Sequence, residues 1–451
     1  MKNLMTAALL ISGLWSMTLT AAQDGLDNSA VSHFNRGMKY VDDQQFGKAI
    51  EELTQAVELN PQNGENLFWR GWTYMNNGEY EKAVEDFNKL LKITPANAKA
   101  YEGRGFSFYN LKQYDKAMAD YSQAIRLQPE NSDFHAGRGQ VYNALEQYDK
   151  ALADYSNAIK YAPDNVGGYE GRAFSFCSLK QYDKALADYS RAIELQPGNN
   201  DFYSGRSQVY CELKQYDKAL ADADKALSLA GDDPGAYENR AFIYFMMKQY
   251  DKALADYSRA IGLQPANANL HAGRGQVYCE MKQYDKALAD FSQAIKLDAS
   301  CADYYLNRGG CYAGNHQFAE AFLDYAKAAE LQPQTAITYL GGVELGIISG
   351  KSQTADEWRK KLAAAVSDDK LSAPDRAILL FLNAVGKIVK NEPTATEEQA
   401  LQPLLKDRID ATWSFDLTDA WLADPQNGLT APQIDQIKVL TARIKAAQIK
   451  D

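Results

Sequence analysis

Small, aromatic and alanine side chains recur along the chain at a fixed spacing of 34 residues. Alanine occupies one position in nine consecutive copies: Ala49, Ala83, Ala117, Ala151, Ala185, Ala219, Ala253, Ala287 and Ala321. Proline keeps the same spacing at Pro61, Pro95, Pro129, Pro163, Pro197, Pro265 and Pro333. A fixed period of this length is typical of repeat proteins, in which each copy is one supersecondary unit. The pattern therefore predicts a stacked array.

Each unit of the array is predicted to be a pair of short helices. With proline placed at position 32, the units begin at Ala30, Gly64, Ala98, Ser132, Val166, Asn200, Pro234, Ala268 and Ala302. Position 8 is always small, position 11 is always Tyr or Phe, and position 27 is Ala except at Leu90. Small side chains let helices approach to the roughly 8–10 Å of close packing. A single pair cannot bury its apolar face alone, so stability must come from stacking.

This combination of positions resembles the tetratricopeptide-repeat (TPR) family. The resemblance covers residues 30–335 and departs from the family at position 4, where the usual Trp is replaced by residues such as Leu67, Tyr101 and His135. It implies an all-α fold, a right-handed α-solenoid of helix-turn-helix repeats with a helical C-terminal cap. It also implies a protein-binding function, with the first helices of the repeats lining a concave groove.

Positions 2, 5, 9 and 12 of the first helices are predicted to line that groove, because on a helical wheel they lie away from the packing face. Phe alternates with Gln at position 9, and Glu alternates with small residues at position 5. The duplicated unit in the middle of the chain is thus 68 residues, a pair of repeats. A groove in which Phe and Glu alternate with Gln suits an extended segment or helix that carries apolar anchors and basic or amide groups. The alternative is a relic of duplication without a ligand. The predicted partner-binding residues are Glu102, Phe106, Tyr109, Gln140, Glu170, Phe174, Cys177, Gln208, Cys211, Glu238, Phe242 and Gln276.

Two other features of the repeats argue against better-known ligands. The carboxylate clamp with which some members of the family hold chaperone C-termini is not matched, because positions 5 and 9 lack its Lys, Asn and Arg. Arginine at position 7 occurs in all nine repeats, from Arg36 to Arg308, and position 23 is always acidic, from Glu52 to Asp324. The wheel places position 7 opposite the groove, which predicts structural ion pairs between helices rather than an anion-binding ladder.

The two ends of the chain depart from the period. Residues 1–22 have the pattern of a signal peptide: Lys2, an apolar stretch and small residues for cleavage near Ala22. The protein is therefore expected to be periplasmic or extracellular; the alternative is a buried amphipathic N-terminal helix. Residues 23–29 are a short linker, and residues 336–451 are a degenerate repeat with a helical capping region. Trp413, Leu417 and Trp421 form one helix face, which either docks on the repeats or contacts a partner.

Charge and chemistry narrow the function further. A net charge of -11 disfavours a nucleic-acid partner, and after the signal peptide no stretch is long and apolar enough for a membrane span. Three of the four His fall at the packing position 4 (His33, His135 and His271), so no metal site is predicted.

The five cysteines are an odd number, which excludes complete internal pairing. Equivalent residues of neighbouring repeats are too far apart for a disulfide, so Cys177, Cys211 and Cys279, all at position 12, are expected to be free thiols. Cys301 and Cys311 are left open.

No motif for catalysis, a phosphate group or a cofactor is recognised. The sequence thus predicts a non-enzymatic scaffold or adaptor that binds a peptide or protein segment. The alternatives are a scaffold for envelope polysaccharide or complex assembly, and an enzyme with an unrecognised site in the C-terminal region, where Asp416 and Asp419 are the candidate carboxylates.

Overall fold

The computed structural model describes residues 28–367, 370–405, 415–424 and 427–449. These residues form α-helices and connecting turns, and none of them lies in a strand. The chain divides into two compact units, one ending at Ala230 and the other beginning at Gly231. The predicted all-α solenoid of helix-turn-helix repeats is confirmed. None of the described helices is both long enough and apolar enough to span a bilayer.

In the described part of the first unit, helices pair into six consecutive hairpins. They are α1 (Asn28–Asp42) with α2 (Phe46–Leu59), α3 (Gly64–Asn76) with α4 (Tyr80–Ile93), α5 (Ala98–Asn110) with α6 (Tyr114–Leu127), α7 (Ser132–Ala144) with α8 (Tyr148–Tyr161), α9 (Val166–Ser178) with α10 (Tyr182–Leu195), and α11 (Asn200–Glu212) with α12 (Tyr216–Ala230). Each second helix packs on its hairpin partner, and within the unit also on the first helix of the next hairpin.

The described part of the second unit continues the pattern and then changes it. Three hairpins come first, α13 (Pro234–Met246) with α14 (Tyr250–Leu263), α15 (Ala268–Glu280) with α16 (Tyr284–Leu297), and α17 (Ala302–Gly314) with α18 (Phe318–Leu331). They are followed by α19 (Ala336–Ile348), α20 (Ser352–Ala365), α21 (Ala373–Val389), α22 (Ala395–Leu404), α23 (Asp416–Ala423) and α24 (Ala431–Ile449).

Helix starts are set by two kinds of residue. In six repeats asparagine at position 34 caps the first helix of the next repeat; the Asn97 Oδ1, for example, accepts a hydrogen bond from the backbone N–H of Ala100 at 2.9 Å. The second helices begin after Gln113 and its equivalents, whose side chains form no cap hydrogen bond. Asp115 instead lies in the first turn, where its charge complements the helix dipole.

An aromatic ring at position 24 fixes the spacing between repeats. Tyr121 is only 1% exposed and lies over Gly137, where a Cβ atom would be 2.3 Å from the Tyr121 Cε1. Tyr155 lies over Gly171 in the same way, with a hypothetical Cβ 2.2 Å from its Cζ. Gly137 and Gly171, both at position 6, therefore lack a side chain because the ring of the preceding repeat occupies its space.

The replacement of Trp at position 4 has a structural explanation. The His135 Nε2 lies 2.8 Å from the carbonyl oxygen of Pro129 in the preceding repeat, and the Tyr169 hydroxyl donates to the carbonyl of Pro163 at 3.2 Å. Polar aromatic residues at position 4 thus satisfy a backbone carbonyl at the junction between repeats.

In the helix pair α19–α20, apolar contact replaces the ion pair between positions 7 and 23. In α19 and α20, Gly342 stands at position 7 and Trp358 at position 23, where the nine preceding repeats have arginine and an acid. Trp358 belongs to a continuous apolar core shared with α21, α23 and α24, against which Leu417 and Trp421 pack in part. These two side chains therefore dock on their own chain. Trp413, the signal peptide and most of the linker lie outside the described residues.

Candidate functional site

The position-7 arginines are held by the second helices. In eight repeats the guanidinium donates from Nε and Nη2 to both carboxylate oxygens of the position-23 aspartate, as in Arg70 with Asp86 at 2.6 and 2.7 Å. In most of them Nη1 also reaches the preceding repeat, as from Arg104 to the Asn88 Oδ1 at 2.6 Å. The predicted structural role is confirmed, since bidentate pairing uses the donors an anionic ligand would need.

The predicted groove residues of repeats 3 and 4 mostly contact their own chain. Glu102 is buried and forms an ion pair with Lys99 at 2.9 Å. Phe106 is partly buried, and its ring packs edge-on against Tyr80 with centroids 6.3 Å apart. Tyr109 and Gln140 are also partly buried neighbours, and burial raises the pKa of Tyr109. Little of this stretch is left for a ligand.

In repeats 5 and 6 the predicted groove residues at positions 5 and 9 are more open, whereas Cys211 at position 12 is buried. Glu170 forms no hydrogen bond or ion pair with any residue that the structure describes. Burial, together with the nearby carboxylate of Asp201, raises the pKa of Glu170 to about 7. Phe174, one helical turn further along α9, is 51% exposed, and Gln208 is exposed on α11. An apolar ring and an unpaired carboxylate thus lie on the same helix.

Glu170→Gln is expected to stabilise the protein at pH 8 by about 1–2 kcal/mol. The folded pKa of about 7 lies above the ordinary value of 4.5, so the folded chain binds this proton more tightly than the unfolded chain. Wild-type stability therefore falls as pH rises through this window, and the gain of the variant disappears below about pH 4. Denaturant unfolding at both pH values measures the difference. Glu130→Gln, at an exposed position, is the matched control, and an equal gain there would contradict the explanation.

The second unit carries the remaining predicted groove residues. Phe242 is 43% exposed on α13. Glu238 and Gln276 lie in the wall of a cavity of about 440 Å³ between the first helices of repeats 7, 8 and 9. Burial raises the pKa of Glu238. The predicted partner-binding residues did not include three residues of this wall. Asn269 and Asp303 stand at position 2, which the helical wheel assigned to the groove, and Tyr304 stands at position 3, which it did not.

The expectation that Cys279 is a free thiol is wrong. Cys279 forms a disulfide with Cys311 of the next repeat, with Cα atoms 6.0 Å apart. Cys311 does not stand at the equivalent position 12 but at position 10, and position 10 faces position 12 of the preceding first helix. Cys177, Cys211 and Cys301 are free. Burial raises the pKa of Cys177 and of Cys211 to about 11, so both thiols are protonated at neutral pH.

Within the described ranges, no three His, Cys, Asp or Glu residues are grouped in a way that could hold a metal ion. His33 contacts Glu52 at 2.7 Å, and His135 and His271 both contact backbone carbonyls. The three therefore have roles in the helix packing.

Family models match most of the repeat array. Models described as tetratricopeptide repeat or TPR repeat match residues 30–63, 52–85, 71–112, 107–146, 132–165, 175–237, 243–282 and 275–315. The chain belongs to the tetratricopeptide-repeat family. TPR arrays are scaffolds that bind protein partners through surfaces extending over several repeats.

Solved TPR structures resemble the chain at low sequence identity. A tetratricopeptide repeat protein of Parabacteroides merdae is 22% identical, covering 53% of this chain and 94% of its own, with a TM-score of 0.46. Yeast Tom70 is 16% identical over 83% of this chain and 99% of its own, with a TM-score of 0.47. The Cut9–Hcn1 hetero-tetramer of the APC/C gives 16% identity over 73% of this chain and 77% of the matched chain, with a TM-score of 0.49. A comparison with curated protein sequences finds no match.

Proposed function

We propose that this TPR protein is an exported scaffold that holds a segment of another protein against the first helices of its repeats. The observation that carries the proposal is the open pair on α9, in which Glu170 has no partner among the described residues and Phe174 is half exposed. The same two residue types recur on α13 as Glu238 and Phe242. An apolar anchor beside a cationic or amide group is the ligand that such a pair would receive.

The energetics of Glu170 favour a ligand over a relic of duplication. A carboxylate that is largely buried without a hydrogen-bond donor costs stability, because it gives up hydration and gains nothing in return. In repeat 3 the ion pair between Lys99 and Glu102 offsets part of this cost, although burial still raises the pKa of Glu102. Repeat 5 has Gly167 in place of that lysine. A residue retained at such a cost is typical of a binding site, where stability and function compete.

Export is the second part of the proposal. It is supported by the signal-like residues 1–22 and by the Cys279–Cys311 disulfide, because disulfides persist in the periplasm and outside the cell and are rare in a reducing cytosol. The intact mass of the protein purified from its native source tests this point. A mass that still includes residues 1–22 would contradict cleavage near Ala22.

Selection of peptides tests the binding function without knowledge of the natural partner. The immobilised chain is offered a random peptide library displayed on phage, and recovered peptides are synthesised and titrated by fluorescence anisotropy. We expect the double variant Glu170→Gln, Phe174→Ala to bind at least about tenfold more weakly, because it loses a charged hydrogen bond and an apolar contact.

The matched control for this test is Leu323→Ala. It also removes a large exposed apolar side chain, 72% exposed, but from α18, the second helix of its repeat. Equal loss of affinity in both variants would contradict a specific site on α9, and recovery of no peptide at all would overturn the binding function.

A further inference from the structure

The cavity in the second unit is acidic and lined by side chains from three consecutive first helices. Glu238 comes from α13, Gln276 from α15, and Asp303 and Asn307 from α17. Its described lining contains two carboxylates and no Lys, Arg or His. Asn307 stands at position 6, where most middle repeats have glycine, and so adds an amide to the wall. At about 440 Å³ the cavity lies within the size range of ligand pockets, roughly 300–1,000 Å³.

Most of the acceptors in this cavity have no partner. Glu238, Gln276, Asp303 and Asn307 form no side-chain hydrogen bond or ion pair with any residue in the described ranges, whereas Asn269 accepts from the Tyr304 hydroxyl at 2.5 Å. Four side chains with free oxygen atoms face one space, and two of them carry carboxyl groups. This arrangement complements a cation that donates several hydrogen bonds.

Repeat 3 shows how a glutamate at position 5 holds such a cation. The Lys99 Nζ lies 2.9 Å from the Glu102 Oε2 and 3.7 Å from the Asp133 Oδ2 of the next repeat. It also lies 5.1 Å from the centroid of the Phe134 ring. Lys99 stands at position 2, three residues before the glutamate. In repeat 7 that position is Gly235, so Glu238 has the carboxylate of this arrangement without the lysine.

We propose that the cavity between α13, α15 and α17 binds a basic side chain of the segment that the repeats hold, with Glu238 accepting it as Glu102 accepts Lys99. Asp303 supplies the second carboxylate, and the amides of Gln276 and Asn307 accept the remaining N–H groups. The inference rests on the proposed function and names the chemistry of one subsite. A guanidinium and an ammonium both satisfy it, since both are cations with several donors.

Gly235 allows a direct test, because a lysine introduced there should fill the cavity as Lys99 fills its own site. A Cβ at Gly235 would lie 3.2 Å from the Asp233 Oδ2 and contact nothing else within 4 Å, so the backbone can carry a side chain. Gly235→Gln is the matched control, with a side chain of similar length and no charge. The probes are phage-selected peptides and the same peptides with each Arg or Lys replaced by citrulline, a neutral residue.

We expect Gly235→Lys and Glu238→Gln to weaken binding of the basic peptides about tenfold or more, and Gly235→Gln to have little effect. Replacing the basic residues of the peptide by citrulline should weaken its binding to the wild type by a similar factor. The same replacement should not weaken binding to Gly235→Lys any further. Cys301, a free thiol in the cavity wall, gives a local readout. Bound peptide should slow its alkylation, followed by mass spectrometry, at least several-fold.

The outcomes separate this inference from the proposed function. Two outcomes would overturn the subsite. One is that the selected peptides contain no basic residues. The other is that basic peptides bind Gly235→Lys as tightly as they bind the wild type and do not protect Cys301 from alkylation. If the double variant Glu170→Gln, Phe174→Ala still loses peptide binding in that case, the proposed scaffold function is supported even though the subsite is not. Recovery of no peptide by the wild type would overturn both.

Discussion

Reduction of the Cys279–Cys311 disulfide is expected to lower the stability of repeats 8 and 9 by about 3–4 kcal/mol. The cross-link joins α15 to α17 across a sequence separation of 32 residues. A loop of that size restricts the unfolded chain strongly, and its opening restores conformational freedom only to the unfolded state. The effect should be local, because each repeat of a solenoid contacts only its neighbours.

Hydrogen exchange measures this prediction helix by helix. With reductant, amides in α15 and α17 that exchange through local unfolding should exchange on the order of a hundredfold faster or more, while those in α5 and α7 should be unchanged. The double variant Cys279→Ala, Cys311→Ala should not respond to reductant, and Cys177→Ala should respond like the wild type. Unchanged exchange in α15 and α17, after mass spectrometry has shown loss of the cross-link, would contradict the prediction.

The repeat architecture could be predicted from the sequence because its physical requirements recur in every copy. Helix pairs approach closely only where side chains are small, so nine alanines at position 20 define the helix contacts. Arginine at position 7 and acid at position 23 could be paired for the same reason, since both are present in all nine repeats. Their geometry then followed from the helical wheel, and the eight bidentate Arg–Asp pairs agree with it.

Contacts between different positions of neighbouring repeats could not be predicted in this way. The disulfide was missed because only equivalent positions were compared, whereas position 12 faces position 10 of the next repeat. Cys177 illustrates the same register, since it packs against the cluster that contains Val209, the position-10 residue of the following repeat. A search for cysteines at this offset would have found the pair.

The candidate site shows a second limit of periodic reasoning. Glu102 and Glu170 occupy equivalent positions, yet one is paired with Lys99 and the other has no partner among the described residues. The difference depends on a single neighbour at position 2, lysine in one repeat and Gly167 in the other. The predicted cavity wall was likewise incomplete. Asp303 stands at position 2, a groove position whose residue type varies between repeats, and Asn307 enters from position 6, outside the predicted groove positions. Binding chemistry in this array therefore depends on the residues that break the period.

Gly171→Ala is expected to destabilise the packing of repeat 4 on repeat 5 by about 3 kcal/mol, the upper end of the usual cost of overpacking. The new methyl group would lie 2.2 Å from the Tyr155 Cζ and 2.6 Å from its Oη. Tyr155 is 4% exposed, and its hydroxyl accepts from the Asn143 Nδ2 at 3.3 Å, so the ring has little room to move. The two repeats must separate instead. Thermal unfolding, with hydrogen exchange in α8 and α9, measures the loss.

Gly310→Ala is the matched control, because Gly310 also lies within a first helix but has nothing within 4 Å of a hypothetical Cβ. Alanine forms helix better than glycine, so this variant should gain up to about 1 kcal/mol. Opposite signs for the same substitution would locate the effect in the space under Tyr155 rather than in helix propensity. Tyr155→Ala provides the second check: combined with Gly171→Ala it should cost clearly less than the sum of the single changes, since the clash is then absent. If the free-energy costs of the two changes are instead additive, the Tyr155 ring is not what excludes a side chain at Gly171.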